Sequence, residues 1–176
     1  LSLKSKKIDV IWNGLTITDD RKEEIDFTKP YIVDRQTIVV NGNSPIKDKT
    51  DLAGRVVGLQ QGSSSEEALR RDSDTMKSLK EVKKYSDNTE ALMDLMNGRI
   101  DAVVVDEVFG SYYMQKKPGQ YRTLSDNFGA ETFGVGVRKE DKEFLAELDS
   151  VLDSMKADGT AKAISEKWFG KDIISE

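Results

Sequence analysis

The sequence predicts an α/β fold with mostly parallel strand pairing. Short apolar runs rich in β-branched residues alternate with segments whose apolar residues recur every three or four positions. Asn-Gly, Gly-Ser and Pro-Gly steps stand at several of the changeovers. One run, Ile100 to Val105 (IDAVVV), is apolar at nearly every position rather than every second one. That is the pattern of a strand buried on both faces of a parallel sheet.

Taken in order, residues 1–7 (LSLKSKK) read as the last turns of a helix leading into a strand. Ile8 to Trp12 is a short strand ended by Asn13-Gly14. Tyr31 to Val40, with Ile32, Val33, Ile38, Val39 and Val40, is a longer one, broken by residues 41–45 (NGNSP). Arg55 to Gln60 is the third strand, and Gln61-Gly62 turns it into a helix. The polar stretch Arg70 to Lys84 reads as a solvated excursion toward a strand near Val82 to Tyr85. Glu90 to Met96 is a helix with Ala91, Leu92, Leu95 and Met96 on one face. Asp87 and Glu90 have capping-box spacing, and Asn97-Gly98 is a stop. After the IDAVVV strand, Glu107 to Lys116 is a helix expected to bury Val108, Phe109, Tyr112 and Tyr113 before Pro118-Gly119. Thr132 to Val137 is a fifth strand. Asp141 to Ala157 is the strongest helix, with Phe144, Leu145, Leu148, Val151, Leu152 and Met155 at helical period. Asp158-Gly159-Thr160 ends it and begins a last helix carrying Ala161, Ile164 and Trp168.

Composition narrows the chemistry. The 176 residues contain no histidine and no cysteine. This excludes thiolate metal sites, disulfides, cysteine nucleophiles and the Ser-His-Asp triad. With 27 basic and 32 acidic residues the chain carries −5, a poor footprint for nucleic acid. No window approaches 18 consecutive apolar residues, so no membrane span is expected. No catalytic group, metal site or cofactor is indicated.

Three places invite a ligand. After the first strand, Gly14 permits close backbone approach, Thr16 offers a hydroxyl and an N–H, and Arg21 offers a planar fork that matches a carboxylate. The plainer alternative is a turn, an N-cap at Thr18, and Arg21 paired with Glu23 or Glu24. After the third strand, Gly62-Ser63-Ser64-Ser65 opens a helix whose N-terminus favours an anion. The alternative is a capping box, Ser63 with Glu66 or Ser64 with Glu67. It is not a P-loop, because the Gly-Lys-Ser/Thr ending is missing. Asp106, closing the IDAVVV strand, is either a helix N-cap or a counter-charge for a ligand cation. All three lie at the C-terminal ends of predicted strands, where α/β sheets place ligands. Together they supply a cation, an anion and a helix N-terminus, the complement of a zwitterion such as a free α-amino acid. Asp9 and Asp101 lack such a setting and read as solvated or structural.

These residues carry a resemblance. The segments KKIDVIWNGLTITDDRKEEIDFTKPY, DLAGRVVGLQQGSSSEEAL, LMNGRIDAVVVDE and the tail from Thr132 to Gly170 resemble the polar-amino-acid family of extracytoplasmic solute-binding proteins, family 3, of ABC importers. The resemblance covers essentially the whole chain. It implies a two-lobe, type II periplasmic-binding-protein-like fold, each lobe a mostly parallel sheet with flanking helices. Lobe 1 would comprise residues 1–41 plus 128–176 and lobe 2 residues 42–127. Thr37 to Asn41 and Phe128 to Phe133 would be the crossings. It implies a ligand carboxylate on Arg21 and the Thr16 and Ser64 N–H groups, and an ammonium on Asp106, the Gly14 carbonyl and the Thr16 hydroxyl. Ser63, Gln60 and Val105 would meet the ligand side chain, and the last two favour a polar uncharged one. Family members carry a further segment before the point where this chain starts. The resemblance therefore implies an incomplete lobe 1 with exposed apolar surface and a strand edge that invites a homodimer. The implied partners are a free amino acid, an ABC permease and its ATPase. The implied setting is extracytoplasmic, periplasmic or lipid-anchored, with capture by hinge closure. The alternatives are a cyclohexadienyl or arogenate dehydratase on the same fold, the sensing domain of a receptor, or a fragment that has lost binding.

Overall fold

A computed structural model describes residues 2–175. It opens with α1 (Asp19–Glu24), β1 (Asp26–Phe27) and β2 (Ile32–Asn41), followed by a 3-10 turn at Lys49–Leu52. Next come β3 (Val56–Gln60), α2 (Ser64–Arg71), α3 (Ser73–Ser78), β4 (Glu81–Tyr85), α4 (Asn88–Met96), β5 (Ala102–Asp106) and α5 (Glu107–Lys116). The chain closes with β6 (Tyr121–Phe133), β7 (Gly136–Val137), α6 (Lys142–Ala157) and α7 (Thr160–Phe169). It divides into two compact units, Leu1–Asp34 with Glu131–Glu176, and Arg35–Ala130. The chain passes between them in β2 and again in β6. Where the sequence suggests breaks at 41/42 and 127/128, the units meet at 34/35 and 130/131. The reason is pairing and packing: Thr37, Ile38, Val39 and Val40 are already in register with β5, and Phe128 packs on the second unit's core.

In the second unit the sheet order is β4-β3-β5-β2-β6. β3 runs parallel to both β4 and β5, as expected for strands joined by crossover helices. β2 is antiparallel to β5, with Gln36 opposite Asp106 and Thr37 opposite Val105. It enters from the other unit rather than through a crossover, so nothing forces it parallel. The valine run behaves as its composition implies. Ala102 and Val104 pack into one cluster with Ile38, Val40, Val57, Leu59 and Leu69. Val103 and Val105 pack into the other with Val39, Ala91, Leu92 and Leu95. All four are fully buried, one pair on each face.

The helices here are capped as their sequences suggest. The Asp87 side chain accepts from the Glu90 N–H at 2.9 Å to begin α4. The stretch read as a solvated excursion contains α3, capped by Asp72 through the Thr75 N–H at 3.1 Å. α3 buries no residue, so no apolar period betrays it. On α5 the expected burial shifts. Tyr112 is exposed, Val108, Phe109 and Tyr113 are half-buried, and the buried position is Gly110. A Cβ there would stand 3.2 Å from Val39 Cγ2, so the glycine lets α5 lie close on the sheet.

Asp94 on α4 is held by three side chains. It accepts from Lys83 Nζ at 2.7 Å, the Tyr85 hydroxyl at 2.8 Å and Arg99 Nη1 at 2.9 Å. The Lys83 hydrogen bond, then those of Tyr85 and Arg99, hold its carboxyl well below the usual carboxylate range. A depressed folded pKa contributes stability above the carboxyl's ordinary value, and that contribution is lost as pH falls toward the folded value. Asp94→Asn is therefore expected to unfold at a lower temperature than the parent at pH 7. The gap should narrow steadily below about pH 4. Thermal unfolding of both chains from pH 7 to 3 checks this, and a pH-independent gap would contradict it.

In the first unit β1 pairs antiparallel with β7, Asp26 opposite Val137 and Phe27 opposite Gly136. The expected strand at Ile8–Trp12 does not form. Only Ile11 makes a bridge, exchanging 2.9 Å bonds with Gly136, and Ile8 and Trp12 are exposed. Among the described residues this run finds a backbone partner on one side and at one position, too little for a ladder. The expected strand Thr132–Val137 is likewise split between β6 and β7. Leu1 lies outside the described residues. Residues 2–7 close as a helix end does, with Lys6 N–H on Leu3 O, Lys7 N–H on Ser2 O, and Lys6 at φ 57°. On α6, Leu152 is buried and Leu145, Leu148 and Met155 are half-buried. Phe144 and Val151, with Ile164 and Trp168 of α7, are exposed.

Candidate functional site

Each unit gathers its own group of polar residues. In the first, residues 15–17 run beside the end of β6. The Ile17 N–H donates to Thr132 O at 2.9 Å, the Gly134 N–H to Leu15 O at 3.1 Å, and Thr16 bridges Phe133. Thr16 is thereby buried. Thr18 caps α1 as expected, accepting from the Arg21 N–H at 3.3 Å. The Arg21 side chain folds back so that Nη1 donates to the Thr16 carbonyl at 2.8 Å. Pairing with Glu23 or Glu24 does not occur. Glu24 pairs with Lys4, and among the described residues no carboxylate lies within ion-pair distance of Arg21. Gly14 sits in an exposed turn over the Phe133 ring, which an added Cβ would approach to 3.3 Å. The Tyr31 hydroxyl donates to Asn13 O at 2.8 Å and braces that turn. Thr16 Oγ1 donates to Glu131 Oε1 at 3.0 Å, a carboxylate that sequence reasoning does not single out.

In the second unit the parallel neighbours β3 and β5 deliver their C-terminal ends to the same sheet edge. Ser63 caps α2: its Oγ accepts from the Glu66 N–H at 3.3 Å and donates to Gln60 O at 2.7 Å. Glu66 reaches back to the Gly62 N–H at 2.8 Å, so the capping alternative resolves to Ser63. Ser64 is the first residue of α2. Asp106 stands at the N-cap position of α5, yet its side chain makes no capping hydrogen bond. It accepts instead from Gln36 Nε2 at 2.6 Å, and the same nitrogen lies 3.1 Å from Ser64 Oγ. The antiparallel register of β2 and β5 sets Gln36 opposite Asp106, and Gln36 is 1% exposed.

Two further residues expected near the ligand side chain are engaged within the chain. The Gln60 amide turns to Ser86 O at 3.0 Å, committed to the loop after β4. Val105 is fully buried in the cluster with Leu92 and Leu95, so its side chain belongs to the core. Asp9 pairs with Arg138 and Asp101 accepts from the Val56 N–H, the solvated and structural roles read for them. Sequence reasoning misses Gln36 although a signal exists. Alternation along β2 puts it on the face of Ile38 and Val40, where a polar residue needs a reason.

The model of the bacterial extracellular solute-binding proteins, family 3, matches residues 1–171. The chain belongs to this family. Among its relatives, the L-cystine-binding protein TcyJ of Escherichia coli is 37% identical over 174 residues, covering 98% of this chain and 64% of that protein. The L-arginine-binding protein of Pseudomonas aeruginosa is 33% identical over 181 residues, covering 98% and 69%. Among solved structures, an ABC uptake transporter substrate-binding protein from Streptococcus pneumoniae with bound histidine superposes with a TM-score of 0.92. It is 33% identical, over 99% of this chain and 73% of that one. This family-3 chain thus has the α/β fold of type II periplasmic binding proteins and spans about 64% of the length of the cystine-binding relative. None of its described helices is long and apolar enough to cross a membrane.

Proposed function

We propose that this family-3 chain binds a free L-α-amino acid as part of an extracytoplasmic receptor that serves an ABC permease and its ATPase. The observation that carries the proposal is Arg21. A guanidinium braced on the Thr16 carbonyl, with no carboxylate of the described chain beside it, is prepared for the carboxylate of a ligand. Asp106, held by Gln36 and relieved of a capping role, answers with an acceptor for the ammonium. A closed form is favoured only by contacts that it alone makes, and β2 and β6 are the natural hinges. No step in this reading requires a catalytic group.

For the side chain we propose cystine or a basic amino acid. The uncharged class that the sequence suggests rests on Gln60 and Val105, and both side chains are occupied elsewhere. Relatives named for cystine, arginine and histidine support this choice. A thermal-shift screen against the common L-amino acids and cystine tests it. A ligand at a hundred times its Kd stabilises by about 2.7 kcal/mol, roughly 5–10 °C for a chain of this size. The expected shift is with cystine, arginine, lysine or histidine. A shift with an uncharged polar amino acid alone would replace the ligand class, and no shift with any would contradict amino-acid binding.

A further inference from the structure

We infer that Gln36 is a positioning residue that sets the polarity of the second unit's half of the site. The inference rests on the amino-acid reading above. It starts from three atoms: Gln36 Nε2, Asp106 Oδ1 at 2.6 Å and Ser64 Oγ at 3.1 Å. A carboxylate accepts and does not donate, so the amide must present its NH2 group, not its oxygen, to Asp106. That NH2 has two hydrogens, and the geometry gives one to Asp106 and the other to Ser64. The consequences for the two partners are opposite. Asp106 is kept as an acceptor and oriented through Oδ1, leaving its remaining acceptor capacity for an ammonium. Ser64 has an oxygen lone pair engaged, so its own O–H must point away from Gln36 and acts as a donor. One buried amide thereby makes Asp106 an acceptor and Ser64 a donor. A zwitterion needs both on the same sheet edge.

The placement is enforced by the fold. Gln36 is 1% exposed and is held by the β2–β5 register directly opposite Asp106. A long polar side chain in a strand otherwise facing Ile38 and Val40 gains nothing from packing alone, and burying an amide is costly without partners. Arg35, next to Gln36 in the chain, pairs with Glu107 at the start of α5.

A double-mutant cycle by titration calorimetry tests the inference, with L-cystine, L-arginine and L-histidine as probes. Gln36→Met keeps length and apolar bulk and removes both donors. It is expected to weaken binding about 10- to 50-fold, the range of a lost hydrogen bond to a charged group. In the Asp106→Asn background, and again in Ser64→Ala, the same change should cost less than about threefold, because the groups it positions are altered. A merely structural role would lower the melting temperature and cost the same factor in every background. Undiminished cost in both backgrounds, or unchanged affinity of Gln36→Met, overturns the inference while leaving amino-acid binding intact. Absence of binding to the parent chain by all three probes overturns the amino-acid reading itself, and the inference falls with it.

Discussion

Replacing Arg21 by alanine is expected to lower amino-acid affinity by roughly 150- to 5,000-fold, about 3–5 kcal/mol. That is the cost of leaving one member of a buried charge pair without its partner. The unliganded chain should be affected less. Arg21 contributes one side-chain hydrogen bond, to the Thr16 carbonyl, and no ion pair among the described residues. Its loss should move stability by no more than about 1.5–3 kcal/mol, the range for one hydrogen bond to a charged group. Arg21→Lys is expected to fall between, since it keeps the charge but loses the planar fork. Calorimetry for affinity and thermal unfolding without ligand separate the two effects. Affinity within a few-fold of the parent would remove Arg21 from the site. A large drop in the unliganded melting temperature would make its role structural.

The largest stability effect from a minimal change is expected at Gly42. Its N–H donates to Gln120 O at 2.9 Å, and an added Cβ would stand 2.1 Å from the Gly119 carbonyl oxygen. That neighbour is backbone, so a rotamer change gives no relief. One of the two turns must move, and such overpacking costs about 1–3 kcal/mol. For a chain of this length Gly42→Ala should therefore melt roughly 2–12 °C lower. Gly119 faces it with φ +78°, and a methyl added there would meet nothing within 4 Å. Gly119→Ala should therefore cost only the left-handed strain, about 1–2 kcal/mol. Equal effects at both positions would show that the close approach is not what Gly42 serves.

Much of this molecule is legible where a local rule coincides with burial. The valines of β5, the Asp87 cap of α4 and the Ser63 cap of α2 are read from a few residues each and occur as read. The failures share a cause. Ile8–Trp12 has a strand's composition but finds a backbone partner only at Ile11, and a strand exists only through its partner. Tyr112 has the right period for burial on α5, yet Gly110 is what lets the helix approach the sheet. The same holds at the site. Ser64 and Asp106 of the candidate site stand at the ends of β3 and β5 and are visible in sequence, and Thr16 and Arg21 are visible from the Gly-Leu-Thr turn and the Thr18 cap. Gln36 and Glu131 enter through β2 and β6, whose register with distant segments decides what they touch. Val105 and Gln60 show how little sequence adjacency says about side-chain direction. Sitting next to a site in sequence does not turn their side chains toward it.

The central claim is that this chain recognises both charges of an amino-acid head group. It is tested most directly by paired calorimetric titrations of the unmodified chain. L-Arginine is set against agmatine, which lacks its one α-carboxylate, and L-cystine against cystamine, which lacks both of its α-carboxylates. The account predicts saturable one-to-one binding of at least one of the two amino acids, and binding at least about 100-fold weaker for its decarboxylated partner, the loss expected when Arg21 faces no carboxylate. Equal binding of the amine and the amino acid, or no binding of either amino acid, would contradict it.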